Sequence, residues 1–171
     1  MPSNPLHVLR INARELMRQP GMVRQIQADL DAADLGVQDD RVAGAVHVTL
    51  EAVSSVDGVV VTGSISTPWR VPCRRCLAEV AGSARIAVDE AYQDEVGEAD
   101  AFEIVGDQID MAPAVREYVM LEIPDGPLCR DDCAGICSIC GIDRNQDSCE
   151  CDTTVSDDRW AALDGLRLDD D

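Results

Sequence analysis

Residues 45–66, AVHVTLEAVSSVDGVVVTGSIS, decide the fold class. In the opening run Val46, Val48, Leu50 and Ala52 alternate with Ala45, His47, Thr49 and Glu51. Side chains of a strand point alternately to opposite faces, so this segment has one apolar and one polar face. After Asp57-Gly58 the alternation resumes, with Val59, Val61 and Ile65 in phase. Asp-Gly between two such runs marks a tight turn, and the pair reads as an antiparallel hairpin.

Working outward, ARIAVDEAY (84–92) reads as a further strand with Ala84, Ile86 and Val88 on one face. GMVRQIQADL (21–30) and LHVLRI (6–11) read as two more. Between those two, NARELMRQ forms a short helix, with Asn12 as N-cap and Glu15 three residues on, before Pro20-Gly21 breaks it. DLGVQDD (34–40) is a loop, and QDEVGEADA (93–101) an acidic one. Antiparallel strands in succession predict an α+β protein. Its body would be a curled antiparallel β-sheet, or open and barrel-like, with a few short helices and a Cys-rich C-terminal zinc-binding segment.

DMAPAVREYVMLEI predicts a helix over 110–122, capped by Asp110, with Pro113 in its first turn. Met111, Ala114, Val115, Tyr118 and Leu121 form its expected buried stripe. PDGP (124–127) then divides a β-rich body, 1–123, from a Cys-rich segment, 124–171. A last helix, DDRWAALDGL, is expected after Ser156, docking through Trp160, Leu163 and Leu166.

The aromatics are Trp69, Trp160, Tyr92, Tyr118 and Phe102, so Val, Ala, Ile and Leu must fill the core. All fourteen basic residues are arginine, which excludes lysine chemistry such as a Schiff base or the P-loop lysine. A net charge of −19 disfavours broad contact with bare nucleic acid and suits solubility or a basic protein partner. The sequence shows neither a basic stretch leading into a long apolar one at its start nor an apolar run of membrane-spanning length. The protein is read as cytoplasmic, with no membrane partner, and in a reducing compartment its eight cysteines point to metal rather than disulfides.

VPCRRCL places Cys73 and Cys76 in a C-x2-C pair at an expected hairpin tip. The run CRDDCAGICSICGIDRNQDSCEC (129–151) holds Cys129, Cys133, Cys137, Cys140, Cys149 and Cys151. Two intervening residues let a tight turn aim both thiolates at one ion. Gly141, after the second such pair, turns the backbone at no steric cost. Eight thiolates make two four-ligand zinc sites. The favoured partition is a local site of Cys137, Cys140, Cys149 and Cys151, and a long-range one joining Cys73 and Cys76 to Cys129 and Cys133. The latter would clip the C-terminal segment onto the body.

Three other readings stay open: one zinc with four free thiols, an iron–sulfur cluster despite non-ferredoxin spacing, or a thiol redox role for Cys73-Arg74-Arg75-Cys76. An all-cysteine site leaves zinc no open position, so the metals would be structural. His7 and His47 are the only histidines and no nucleophile–base pair is legible, so no enzyme and no small-molecule substrate are expected. Trp69, Arg70, Arg74 and Arg75 form the one local departure from acidity. They are a candidate contact for RNA or an acidic partner, or else they offset the nearby thiolates, Asp131 and Asp132.

The order of these parts is itself a pattern. Cys73-Arg74-Arg75-Cys76-Leu77 matches C-x-R-C-L, followed by an acidic stretch and an Asp-initiated helix ending in Ile123-Pro124. Then come Cys129, Cys133, Gly135, Cys137, Cys140 and Gly141 as C-x3-C-x-G-x-C-x2-C-G, and a closing C-x-C with Arg159 beyond it. This resembles the YceD family of bacteria and plastids, linked to accumulation of the large-subunit ribosomal RNA. Ser138 and Asp158 stand where the family pattern often has Pro, and neither position is a metal ligand. The resemblance implies a non-enzymatic ribosome-biogenesis factor supporting accumulation of 23S ribosomal RNA, and carries over no catalytic residue. With the charge, it makes a basic ribosomal protein or assembly factor the expected partner, touched partly through Asp94–Asp100. A zinc-stapled adaptor unrelated to ribosomes, or a thiol redox or metal-handling protein, are the alternatives.

Overall fold

The computed structural model describes residues 5–19, 21–94, 101–153 and 159. In chain order the elements are β1 (Arg10–Asn12), α1 (Ala13–Met17), β2 (Val23–Leu30), β3 (Val46–Ser54), β4 (Gly58–Pro72), β5 (Glu79–Gln93), β6 (Ala101–Glu103), β7 (Gln108–Asp110) and α2 (Ala112–Glu122). The main sheet runs β2-β3-β4-β5-β6, antiparallel except that β6 lies parallel to β5. β2 and β6 are its edges, so the sheet is open and not a closed barrel. The fold is α+β, as the strand and helix patterning predicts.

The hairpin of 45–66 is the middle of this sheet. Val46, Val48, Leu50 and Ala52 are at most 2% exposed, and Val59, Val61 and Ile65 are 1% exposed. β-branched side chains suit this pleated, half-buried surface, and alternation fixes which face goes inward. The turn differs in detail from the Asp-Gly expectation. Ser55 N–H bonds Gly58 O (2.8 Å), centring the turn on Val56 and Asp57. Gly58 is needed for another reason. A Cβ there would lie 1.9 Å from the carbonyl oxygen of Tyr92 on β5. β5 also extends beyond the expected 84–92, and its upstream half, with β4, carries the hairpin out to Pro72 and Glu79.

Three expectations need correction. Residues 6–11 are not one strand. Pro5–Leu9 forms a 3-10 turn, and only Arg10–Asn12 pairs, antiparallel to Gln108–Asp110. Pro5 fixes its own φ and donates no hydrogen bond, which suits a turn and not a ladder. Leu9 is fully buried from that turn, so its apolar signal came from the core and not from a strand face. In α2 the buried line is Met111, Val115 and Val119, flanked by Ala114, with Ile123 beyond its end. Tyr118 is half-buried and Leu121 is 73% exposed. Val119 continues the four-residue line from Met111, and Leu121, about 200° further round, faces away.

The Asn12 cap follows the sequence, but α2 begins two residues later than expected: its N-cap residue is Met111, and Asp110, the expected cap, ends β7. Asn12 Oδ1 accepts from Glu15 N–H (3.0 Å), and Asp110 Oδ1 accepts from Ala112 N–H (3.0 Å) while Asp110 also pairs with Arg10 (2.9 Å). The expected final helix, apart from Arg159, and most of the acidic loop, 95–100, lie outside the described residues. Among the described residues no helix is long and apolar enough to cross a membrane.

Candidate metal centre

β4 and β5 end opposite each other at Pro72 and Glu79, leaving a short reversal that holds Cys73 and Cys76. It closes by Leu77 N–H to Cys73 O (3.0 Å) and Cys73 N–H to Ala78 O (2.8 Å). The second C-x2-C turn repeats this: Gly141 N–H bonds Cys137 O (2.9 Å), and Cys137 N–H bonds Ile142 O (2.8 Å). In each the residue after the second cysteine is left-handed, Gly141 at φ 74 and Leu77 at φ 63. For leucine that conformation costs about 1–2 kcal/mol.

The eight sulfurs gather in two groups, Cys73, Cys76, Cys129 and Cys133, and Cys137, Cys140, Cys149 and Cys151, each with its sulfurs within 4.8 Å of one another. This is the partition that the spacing favours. Cys73 Sγ lies 3.9 Å from Cys133 Sγ, and Cys76 Sγ lies 3.6 Å from Cys129 Sγ. Four sulfurs about 2.3 Å from a tetrahedral zinc are separated by about 3.8 Å, whereas a disulfide needs about 2.05 Å. The observed spacings fit zinc and exclude disulfides across these pairs.

Backbone and side-chain donors surround the first group. Cys73 Sγ accepts from the N–H groups of Arg75 (3.5 Å) and Cys129 (3.4 Å), and Cys133 Sγ accepts from Asn145 Nδ2 (3.5 Å). N–H groups of Cys76 and Arg75 pull the Cys73 thiol down to about 6. Those of Cys140 and Ile139 do the same for Cys137, also about 6. The last thiols resist. Cys129, sharing hydrogen bonds with Cys133 and Cys76, is pushed up to about 12, and so is Cys151 by Cys140, burial and Cys149. Crowded thiols cannot all ionise against each other's charge; a bound divalent cation would supply the missing positive charge.

The Cys-rich segment is bonded to the hairpin tip beyond its sulfurs. Arg74 N–H bonds Pro127 O (3.2 Å), Ile136 N–H bonds Arg75 O (3.0 Å), and Arg75 Nη1 donates to Cys133 O (3.0 Å). Upstream, Arg41 pairs with Asp39 (2.7 Å) and with Asp125, while Arg41 O accepts from Arg70 N–H (2.8 Å). Arg41 thus links a loop of the body to the start of the Cys-rich segment.

The four residues of the arginine–tryptophan cluster have separate settings. Trp69 is half-buried against the core, its ring so close to Gly82 that a Cβ there would be 2.4 Å from Cζ2. Arg70 pairs with Glu79 (3.3 Å), and Arg75 is committed to the Cys133 carbonyl. Arg74 is exposed and makes no ion pair among the described residues.

Asn145 was not singled out by sequence reasoning. Its Oδ1 accepts from Ala134 N–H (2.8 Å) and Arg130 Nη2 (2.7 Å), while its Nδ2 reaches Cys133 Sγ. Asp143 Oδ1 in turn accepts from Asn145 N–H (2.9 Å). Asn145 therefore orients a first-group cysteine from the loop between the cysteines of the second group. The available signal was Asp143-Arg144-Asn145, a turn-forming pattern between Cys140 and Cys149.

Fold and site together define a small α+β protein with an open sheet and two four-cysteine groups, one shared between a hairpin tip and the Cys-rich tail and the other within the tail. Residues 61–167 match the family model described as "Large ribosomal RNA subunit accumulation protein YceD", and the chain belongs to that family. It is 29% identical over 177 residues to an uncharacterized protein of Mycobacterium tuberculosis, spanning 95% of this chain and 84% of that one. An uncharacterized protein of Mycobacterium leprae is 26% identical over 141 residues, spanning 74% and 63% respectively. No solved structure matches the chain.

Proposed function

We propose that this protein is a non-enzymatic cytoplasmic factor that supports accumulation of the large-subunit 23S ribosomal RNA, and that it works through a protein partner. The observation that carries this reading is the pair of tetrathiolate groups within a YceD-family chain. Four cysteine ligands leave zinc no position for water or substrate, so each metal would hold structure and not perform chemistry. Cys73, Cys76, Cys129 and Cys133 would hold one zinc and Cys137, Cys140, Cys149 and Cys151 the other. Zinc in such sites contributes folding free energy on the order of 10–16 kcal/mol, enough to order a segment too polar to build its own core.

The net charge of −19 favours a basic ribosomal protein or assembly factor over bare RNA. Depletion of the protein lowers large-subunit RNA relative to small-subunit RNA in this account. Association with pre-ribosomal particles weakens steeply between low and physiological salt and survives nuclease treatment of the isolated complex. Normal large-subunit RNA after depletion would instead favour an adaptor unrelated to ribosomes.

A further inference from the structure

The two C-x2-C turns close by the same pair of backbone hydrogen bonds but differ at one residue. Glycine takes the left-handed position in the second turn, at Gly141, and leucine takes it in the first, at Leu77. Glycine adopts that backbone freely, whereas the leucine Cβ clashes with the backbone around it. Burial does not offset this strain, because Leu77 is 63% exposed. The metal geometry needs the backbone conformation and not the side chain, as the second turn demonstrates. An exposed side chain that the metal geometry does not need, held on a strained backbone, points to use by a partner.

The neighbourhood is consistent with that use. Ile136, 37% exposed, is hydrogen-bonded through its N–H to Arg75 O, two residues before Leu77. Ile139, 60% exposed, stands on the second turn. The exposed guanidinium of Arg74 makes no ion pair among the described residues. Arg144 is likewise exposed and without one, and its N–H bonds Gly135 O (2.9 Å) next to the hairpin tip. Among the described residues Arg18, Arg24, Arg85 and Arg116 also make no ion pair, but Arg74 and Arg144 are the two placed at the hairpin tip, where they can meet carboxylates on the other side.

We propose that Leu77 anchors a protein-docking surface, entering an apolar pocket of a partner protein whose rim carries carboxylates, with Ile136 beside it and Arg74 pairing to the rim. RNA fits less well. Unpaired bases are held by stacking on flat side chains, which leucine lacks, and the Trp69 ring is laid against Gly82. The surface is distinct from the acidic contact proposed above and stands whether or not the partner belongs to the ribosome.

The test places a photoreactive benzophenone amino acid at position 77 of the full chain in cells, with position 56 as control. Val56 is 96% exposed at the opposite end of β4. The expected result is a nuclease-resistant protein adduct at position 77, absent at position 56 and lost with Arg74→Glu. Its attachment point should map to an apolar residue flanked by Asp or Glu. No adduct, a nuclease-sensitive one, or one indifferent to Arg74→Glu overturns the proposal. Leu77→Gly supplies the second arm. It should leave melting temperature and metal content unchanged or higher, while weakening capture of the mapped partner by about tenfold or more. Intact capture with a lowered melting temperature would make Leu77 a residue of the fold and overturn the docking role.

Discussion

The two tetrathiolate groups have the same ligands and the same turn, yet they sit in the chain differently. The first spans the molecule: Cys73 and Cys76 hang from the tip of the longest hairpin, and Cys129 and Cys133 come from over fifty residues downstream. Its inner cysteines, Cys73 and Cys133, are 0% and 2% exposed. The second is local to 137–151; Cys137 is buried, Cys140 is exposed, and Cys149 and Cys151 are half-buried. Closing a long loop removes more freedom from the unfolded chain than closing a short one, though the gain grows slowly with length. With a metal in each, the first group would therefore be a clamp between sheet and tail, and the second a staple within the tail. Equal chemistry has unequal structural reach.

That difference ranks the consequences of breaking each part. Cys133→Ser removes a buried ligand of the clamp, and the protein should lose one metal and about 4 kcal/mol or more of stability in denaturant unfolding. Equal losses from Cys151→Ser would abolish the distinction between clamp and staple. Asn145→Ala keeps all eight thiols but removes the donor to Cys133. It should weaken metal at the clamp by about 10–100-fold in chelator competition, leaving the staple's affinity unchanged.

Asp39 tests whether the clamp side is also held by the body. The Arg41 side-chain hydrogen bond depresses the Asp39 carboxyl, against the opposing effect of burial. Its folded pKa lies below the ordinary value of 3.8, so its contribution is present above that value and is lost as pH falls through the depressed one. Asp39→Asn should cost about 1–2 kcal/mol at neutral pH. The gap from the unaltered protein should close in acid, as followed by thermal unfolding across pH. Cys151→Ser should have the smallest effect on the sheet, removing one metal and shifting the main unfolding transition by less than about 1 kcal/mol. Its effect should be largest in amide exchange of the 137–151 loop and should reach the clamp only through the Asn145 hydrogen bond to Cys133.

The sheet was legible because its strands bury one face only: Val46, Val48, Leu50 and Ala52 announce both strand and orientation. LHVLRI misled because an apolar alternation over a few residues cannot distinguish a strand from a turn that drops Leu9 into the core. The stripe of α2 was offset at its end because sequence alone does not say how the helix rotates on β4 and β5, which here select Val119 over Leu121. The cysteine grouping was legible from pair spacing, and from a count that makes two fours. Asn145 was not, because a side chain that bridges one group from inside the other's loop has no spacing rule. The conformation of Leu77 was equally hidden, since leucine is not a residue from which a left-handed backbone is expected.

Metal content per chain in the native protein, measured together with its absorption spectrum, tests the central claim most directly. Two zinc ions per chain with no visible absorbance are the predicted result. One zinc per chain, or a coloured protein with iron in place of zinc, would contradict the account of a clamp and a staple.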